Sequence, residues 1–577
     1  MGRANKNDRT GFYEYKILGR INYFGTWQKN LRKKYEAQQD IQVELLIGAE
    51  MMQDALGQAH EDDQNRLRAL ADQARQPQDI DTMVSTTLDN QLTDLVNKYE
   101  NHDEFITHSD TFQVMVERTK ALYSTWYELF PRSTAPEPGR HGTFRDVERV
   151  LPEIVRMGFD VLYLPPIHPI GRSFRKGRNN STTSQLGEPG SPWAIGATEG
   201  GHKDIHPELG TLEDFRDLIQ TAQGLGLEIA MDLAFQCSPD HPYVKEHPQW
   251  FKWRPDGTVQ YAENPPKKYQ DILPIYFEND DWENLWQELK SVVLHWINQG
   301  INIFRVDNPH TKPFNFWEWL IAEVRQEHPQ VIFLSEAFTR PRIMERLAQI
   351  GFTQSYTYFT WRNTSAEFQE YLTELTKTDM RDYFRPNFWP NTPDILPGPL
   401  QNAGTPSFIM RLVLAATLSS NYGIYGPVFE FGLNSPYPGK EEYVDSEKYE
   451  IKHWNWEVET PVKEMIVRIN RIRRNNPALQ TTWNLYFGQS SNDQLLCYGK
   501  TDDDATNRMF MVVCLDAHHP QNGWVEVPLE KLGLQPDYVY IAHDLITGSK
   551  YRWQGTWNYV ELNPYTVPAH VFRLEEY

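Results

Sequence analysis

The chain has 577 residues, 40% apolar and 13% aromatic, which is enough for several packed domains and rules out a disordered chain. Against 57 Lys and Arg stand 78 Asp and Glu, and the net charge of −21 argues against a nucleic-acid or anionic-membrane binder. Cys237, Cys497 and Cys514 are too few for a disulfide framework and show no C-x-x-C zinc spacing, which fits a reducing compartment.

No apolar run approaches the ~18 residues of a membrane helix, and no apolar core follows the basic start, so the expectation is a soluble cytoplasmic protein. Residues 1–115 read as an N-terminal remnant and helical module. Segments 41–57, 87–98 and 111–126 carry apolar positions at helical spacing, the last running into a strand, and Gln76-Pro77-Gln78-Asp79 separates helices.

Near Trp126 the rhythm changes. A strand at 126–133 precedes a helix that opens with the capping box Thr143…Asp146 and buries Val147, Val150, Leu151, Ile154 and Val155. A strand follows at 160–167. The unit recurs with a Thr211…Asp214 cap, then a strand at 227–235. Helices 282–299 and 314–327 precede strands 301–307 and 331–338, and further strands are expected within 352–361, 381–389 and 421–429. Continuous apolar strands between amphipathic helices predict an α/β fold, a (β/α)₈ TIM barrel with inserted loops over 116–477. A doubly wound open sheet is the alternative, but the Gly-rich phosphate turn it often carries after its first strand is missing from this sequence. Short strands with turn signals predict a C-terminal all-β sandwich domain at 478–577.

Barrel active sites sit at the C-terminal strand ends. Those ends deliver Asp232 and Gln236, Arg305 and Asp307, Glu336, and then Asn391 and Asp394. Glycoside cleavage needs one ionised carboxylate to attack and one protonated carboxyl to donate. Arg305, two residues before Asp307 on a strand, points to the same side and holds that carboxyl ionised.

The segments GINIFRVDNPH, FLSEAF and NFWPNTPD resemble the nucleophile, acid/base and third-carboxylate segments of the α-amylase superfamily, and DLAFQCSPDHP its earlier strand-end segment. PPIHPIGRSFRKGRNN, ENPPKKYQDI, SEAFTRP, RPNFWPNTPDIL and EEYVDSEKYE are similar to the α-1,4-glucan:maltose-1-phosphate maltosyltransferases of glycoside hydrolase family 13. The resemblance implies a retaining transferase that moves maltosyl units from α-maltose 1-phosphate to the non-reducing end of α-1,4-glucans, such as glycogen or maltooligosaccharides, and releases phosphate. By position, Asp307 would be the nucleophile, Glu336 the acid/base and Asp394 the residue that stabilises the distorted donor ring. Arg305 and Gln236 would share that subsite. Asn264, Lys267, Tyr269 and Asn308 would bind phosphate, and Lys176, Lys448 and Tyr449 the donor disaccharide. No cofactor and no catalytic metal are implied.

Lys176, Lys267 and Lys268, with Arg172, Arg175 and Arg178, are expected to form local positive charge for an anionic donor. Gln236-Cys237 stand where amylases usually have Asn-His, which puts their structural calcium in doubt. Thr311 and Pro393 stand where His is usual. His168, His241 and His310 are read as hydrogen-bonding residues and Cys237 as a packed thiol. The family implies a homodimer and an N-terminal β-sandwich ahead of the segment GRINYFGTWQKNL. Only residues 1–18 precede it here, so most of that sandwich is expected to be absent. The alternatives are an α-amylase-type hydrolase or trehalose synthase, which need no phosphorylated donor, and a non-catalytic glucan-binding protein, against which the intact acid trio argues.

Overall fold

The computed structural model describes residues 9–19, 21–99, 106–264 and 267–577, without the side chains of 18, 19, 106–109 and 264. The chain divides into two compact units, Gly11–Val116 and Glu117–Tyr577.

Eight parallel strands make the centre of the larger unit: β1 (Ser124–Glu128), β2 (Val161–Leu164), β3 (Glu228–Leu233), β4 (Ile303–Asp307), β5 (Ile332–Glu336), β6 (Gln354–Ser355), β7 (Asn387–Phe388) and β8 (Asn421–Tyr425). They lie in the order β6-β5-β4-β3-β2-β1-β8-β7. A bridge from Ser355 to Pro386 closes the ring, with the Ser355 N–H donating to the Arg385 carbonyl at 2.9 Å. The result is a (β/α)₈ barrel. Trp126, Val161, Tyr163, Ala230, Ile303, Leu334, Tyr356 and Trp389 pack its interior, and the outer faces join a larger core with the surrounding helices.

Local signals act as expected. The Thr143 and Thr211 hydroxyls accept from the Asp146 and Asp214 N–H groups, and each Asp accepts in return from its Thr N–H, at 2.9 and 2.8 Å. Helices Phe144–Arg156, Leu212–Gly224, Trp282–Asn298 and Phe314–Glu327 follow the predicted spans. Gly300 turns into β4 at φ +106°, a conformation side chains rarely adopt.

Later strands are shorter than expected. The 352–361 and 381–389 segments keep two-residue strands beside 3₁₀ turns, and β8 passes into the helix Gly426–Glu430.

The C-terminal strands are β9 (Leu485–Phe487), β10 (Leu495–Thr501), β11 (Arg508–Cys514), β12 (Gln521–Glu526), β13 (Val539–Asp544), β14 (Lys550–Gln554), β15 (Trp557–Leu562) and β16 (Ala569–Glu576). A six-stranded sheet, β9-β10-β11-β16-β13-β14, and the pair β12-β15 enclose a core that includes Phe510, Val525, Val560 and Phe572. The other face of the large sheet joins the barrel core through Leu496, Tyr498, Met511 and Val571.

In the smaller unit, helices Tyr23–Glu36, Gln42–Ala55, Glu61–Arg75, Ile80–Thr87 and Asn90–Tyr99 share a core of Phe24, Leu31, Leu45, Met52, Leu67 and Val96. The helical reading of 111–126 is corrected. Ile106–Val116 is a strand paired antiparallel with Gly11–Gly19, and 119–122 is one helical turn. Hydrogen bonding to a strand some ninety positions earlier in sequence overrides the local spacing.

Candidate active site

Asp307 ends β4, Glu336 ends β5, and the two are register partners in the parallel ladder. Partnered side chains leave a sheet on one face, and neighbouring strands lie about 4.8 Å apart. This placement suits the ~5 Å carboxyl spacing of a retaining pair rather than the wider gap of an inverting one.

Arg305 organises the carboxylates from behind. Its Nη1 donates to Asp307 Oδ1 at 2.7 Å and to Asp232 Oδ2 at 3.0 Å, and Nη2 lies 3.5 Å from Glu336 Oε1. The guanidinium sits between the rings of Tyr163 and Tyr356, 5.7 and 5.9 Å from their centres. Burial works against its charge, but Tyr163, Asp232, Glu336 and Asp307 raise its affinity for the proton. Arg305 is not among the residues that line the cavity, although it was expected in the substrate subsite. Asp232 also lies beneath the cavity floor, accepting from Tyr163 Oη at 2.5 Å and Trp193 Nε1 at 3.2 Å, and burial pushes it up to about 7.

Burial pushes Glu336 up to about 7 as well. Arg305 opposes the rise, and the charges of Asp307 and Asp394 add to it. One carboxyl beside a guanidinium and another whose proton is retained by burial is the difference in environment that acid/base and nucleophilic chemistry requires of two carboxyls. Asn308, in the left-handed region at φ 42°, donates its N–H to Glu336 Oε2 at 3.1 Å. The buried Lys312 ammonium donates to the carbonyls of Asp307 and Asn308, each at 3.3 Å, and so fastens that strained turn.

Asp394, in the loop after β7, keeps 47% of its side chain open and pairs with Lys448. The crowded wall opposes its charge, but Lys448, with Arg305 and Lys267, holds its carboxyl below the usual range. Lys448 lies 5.0 Å from the Trp193 ring centre. Asn391 is structural: it is buried, donates to Tyr443 Oη at 3.0 Å and accepts the Tyr425 N–H at 3.1 Å.

These groups open into a cavity of about 1000 Å³ lined by Asp307, Glu336, Asp394, Lys176, Gln236, Lys267, Tyr269, Asn308, Lys448 and Tyr449. The Asn264 side chain, Pro265 and Pro266 lie outside the described residues. Lys176 donates to Gln270 Oε1 at 2.6 Å and the Lys268 carbonyl at 3.3 Å, and burial lowers its proton affinity. Gln236 Nε2 donates to the Trp193 carbonyl at 3.3 Å.

The expected cluster of free positive charge is corrected. Arg172 pairs with Glu199, Arg178 with Asp445 and Glu450, and Lys267 with Glu442. Arg175 donates to the carbonyls of Ile170 and Gly171, and neither these arginines nor Lys268 line the cavity. Lys268 alternates to the other face of the strand Lys267–Tyr269.

Sequence reading passed over Asp271, Lys312 and Trp193. Asp271 Oδ1 is buried at the cavity without a hydrogen-bond partner, and burial raises its pKa against the pull of Lys176 and Lys448. Its signal was its place in ENPPKKYQDI. His310 also lines the cavity, its Nδ1 unpartnered.

His202, Cys237 and His241 converge within 4.8 Å, in a chain whose spacing had suggested no metal set. The Tyr243 N–H donates to His241 Nδ1, and His202 Nε2 donates to the Ala234 carbonyl. The remaining pair, His241 Nε2 and His202 Nδ1 at 3.0 Å, must then share the one proton of His241, so both imidazoles are neutral and no lone pair is left for a cation. Burial pushes His202 down to about 4 and His241 well down.

Comparison with known proteins agrees with this geometry. Residues 4–118 match the family model "Alpha-1,4-glucan:maltose-1-phosphate maltosyltransferase, domain N/S", and 487–574 match "GLGE, C-terminal". The α-1,4-glucan:maltose-1-phosphate maltosyltransferase of Chlorobaculum tepidum is 52% identical over 571 residues, 98% of this chain and 85% of that protein. Those of Methylacidiphilum infernorum and Mycolicibacterium smegmatis are 51% and 45% identical over 99% and 98% of this chain, covering 85% and 82% of their own lengths. Among solved structures, the maltogenic α-amylase AmyB of Thermotoga neapolitana superposes with a TM-score of 0.63 at 16% identity, covering 80% of this chain and all of that one. The acarbose complex of the Geobacillus thermoleovorans α-amylase gives 0.60 at 15%, covering 80% and 99%. These two likenesses establish the fold. The sequence identities establish more: the chain belongs to the α-1,4-glucan:maltose-1-phosphate maltosyltransferase family.

Proposed function

We propose that this chain transfers maltosyl units from α-maltose 1-phosphate to the non-reducing ends of α-1,4-glucans with net retention. The observation that carries the reading is the register pairing of Asp307 with Glu336 above Arg305. Asp307 attacks the anomeric carbon while Glu336 gives its proton to the departing phosphate oxygen, leaving a β-maltosyl ester on Asp307. Glu336, now ionised, takes the proton of the acceptor 4-hydroxyl as that oxygen displaces Asp307. Asp394 and Lys448 hold the donor ring. Lys176, Lys267, Tyr269 and Asn308 take the phosphate and second glucose, with Asp271 and Tyr449 on the hydroxyls. A cationic, hydrogen-bonding wall speeds departure of a phosphate dianion.

Within this reading the barrel, residues 116–477, carries the chemistry, 1–115 and 478–577 are accessory domains, and the enzyme works as a cytoplasmic homodimer. Among the described residues no helix is long and apolar enough to cross a membrane.

Incubation with α-maltose 1-phosphate and maltotetraose should release phosphate and lengthen the acceptor by two glucose units. Asp307→Ala should lower phosphate release by at least about 10⁴-fold without changing the melting temperature. Maltose or trehalose in place of elongated acceptor, or an active Asp307→Ala enzyme, overturns the proposal.

A further inference from the structure

The turn that follows β4 is built around one side chain. Asn308 stands at φ 42° and ψ 54°, in the left-handed region, ahead of the 3₁₀ turn Pro309–Thr311. A non-glycine residue stays there only where its surroundings over-determine it. Here its carbonyl accepts from the Thr311 N–H at 3.1 Å, from Thr311 Oγ1 at 2.8 Å and from Lys312 Nζ at 3.3 Å. Lys312 Nζ also reaches back to the Asp307 carbonyl at 3.3 Å. Trp317 Nε1 fixes the Pro309 carbonyl at 2.9 Å. The turn held in this way presents the Asn308 N–H to Glu336 Oε2 at 3.1 Å.

A neutral donor would serve those carbonyls as well. Lys312 instead brings a charge to a place where the residue is 9% exposed. Among the described residues its ammonium hydrogen-bonds to the two carbonyls and to no carboxylate. A buried cation without a direct counter-ion is costly, so its charge calls for a reason beyond fastening the turn. The charges within its reach supply one. Asp307, Glu336 and Asp232 favour the ammonium, Arg305 and burial oppose it, and His310 faces it from the same turn. Glu336 for its part faces Arg305 and Asp307 from β4, Asp394 from the loop after β7, Tyr356 just after β6, and the Asn308 N–H.

We infer that Lys312 is a positioning residue for the reaction: its ammonium pins the Asp307–Asn308 turn so that the Asn308 N–H stays on Glu336, and its charge lets Glu336 serve first as acid and then as base. This part for Lys312 depends on the acid/base role proposed for Glu336. In the first step Glu336 gives its proton to the phosphate oxygen and is left as a carboxylate. Esterification of Asp307 at the same time removes the negative charge that opposed this ionisation. Arg305, Lys312 and the Asn308 N–H then face a single carboxylate, which is thereby kept ionised until it takes the proton of the acceptor hydroxyl.

The test compares the wild type with Lys312→Met, which removes charge and donors at similar length, and with Lys312→Arg, which keeps both. In kcat/KM for α-maltose 1-phosphate the wild-type alkaline limb lies at about 7. It should move up by about one pH unit in Lys312→Met, because a positive charge that held the carboxylate down is gone, and stay in place in Lys312→Arg. A purely structural lysine would lower rates and leave the limb where it is. Infrared difference spectra against Glu336→Gln give a reading that needs no turnover: the protonated carboxyl band of Glu336 should titrate with the same midpoints. Should Lys312→Met fail to fold, Lys312→Gln carries the comparison. A folded Lys312→Met or Lys312→Gln enzyme whose band titrates as in the wild type overturns the inference, and so does a folded Lys312→Arg enzyme that shifts as far as Lys312→Met. A wild type that releases no phosphate, while its Glu336 band still moves with Lys312→Met, overturns the proposed reaction and leaves the hold of Lys312 on Glu336 standing.

Discussion

Glu336 shows how the surroundings of one residue set its chemistry. Burial raises its pKa to about 7, far above a carboxyl in water, and so retains the proton that it donates in the proposed reaction. The protonated form is present below that value and lost above it, so kcat/KM for the donor should fall as pH rises through about 7. Glu336→Gln cannot titrate, and should lose that alkaline limb together with about 10²–10⁴-fold in rate. The sign for stability follows from the same shift. A carboxyl whose folded-state pKa exceeds its unfolded value favours folding while protonated, and that advantage fades as pH rises from the unfolded to the folded value. Above pH 7 the glutamine enzyme should therefore melt higher than the wild type, measured by calorimetry at pH 8. At this scale the sequence was informative about charge and alternation. The pairing of Arg305 with Asp307 follows from two-residue spacing on a strand. Its simultaneous hold on Asp232 and approach to Glu336 required three neighbouring strands to be aligned.

Among elements, the barrel floor is the most constrained. β8 passes so close to Trp389 that a Cβ on Gly423 would lie 2.4 Å from the indole. Trp389 in turn stacks at 5.0 Å on Tyr356, one of the two rings flanking Arg305. Gly423→Val should cost about 1–3 kcal/mol of stability or more through overpacking, seen as a lower denaturant midpoint, and should lower activity by shifting Tyr356 and Arg305. Helices with a capping Thr and a 3.6-residue apolar stripe were legible because both signals are local. The strand Ile106–Val116 was misread because its partner, Gly11–Gly19, is remote in sequence. The two-residue strands β6 and β7 were overextended because an apolar run reads alike in a strand and in the 3₁₀ turns that flank them here.

For the molecule as a whole, the C-terminal domain is part of the barrel's stability. Tyr498 Oη and Thr417 Oγ1 share a hydrogen bond at 2.6 Å, and Lys500 Nζ donates to the Thr417 and Thr481 carbonyls at 3.3 and 2.6 Å. With Leu496, Met511 and Val571 in the barrel's own core, a chain ended at residue 480 should aggregate instead of eluting as a folded species in size-exclusion chromatography. The net charge of −21 belongs to the whole surface and coexists with a cavity lined by Lys176, Lys267 and Lys448. The sequence alone determined the barrel class and the family, because strand alternation, helix caps and long motifs are written in consecutive residues. The tertiary structure decided which charges face the donor: it paired Arg172, Arg178 and Lys267 with acids distant in sequence, sank Arg305 and Asp232 beneath the floor, and brought Asp271 and Lys312 to the site. It also set Trp524 beside Tyr559 across a strand pair. The physical reason is common to all of these. Whether a charge is paired, or an aromatic ring is left open to water, depends on which remote segments the fold brings within a few ångströms.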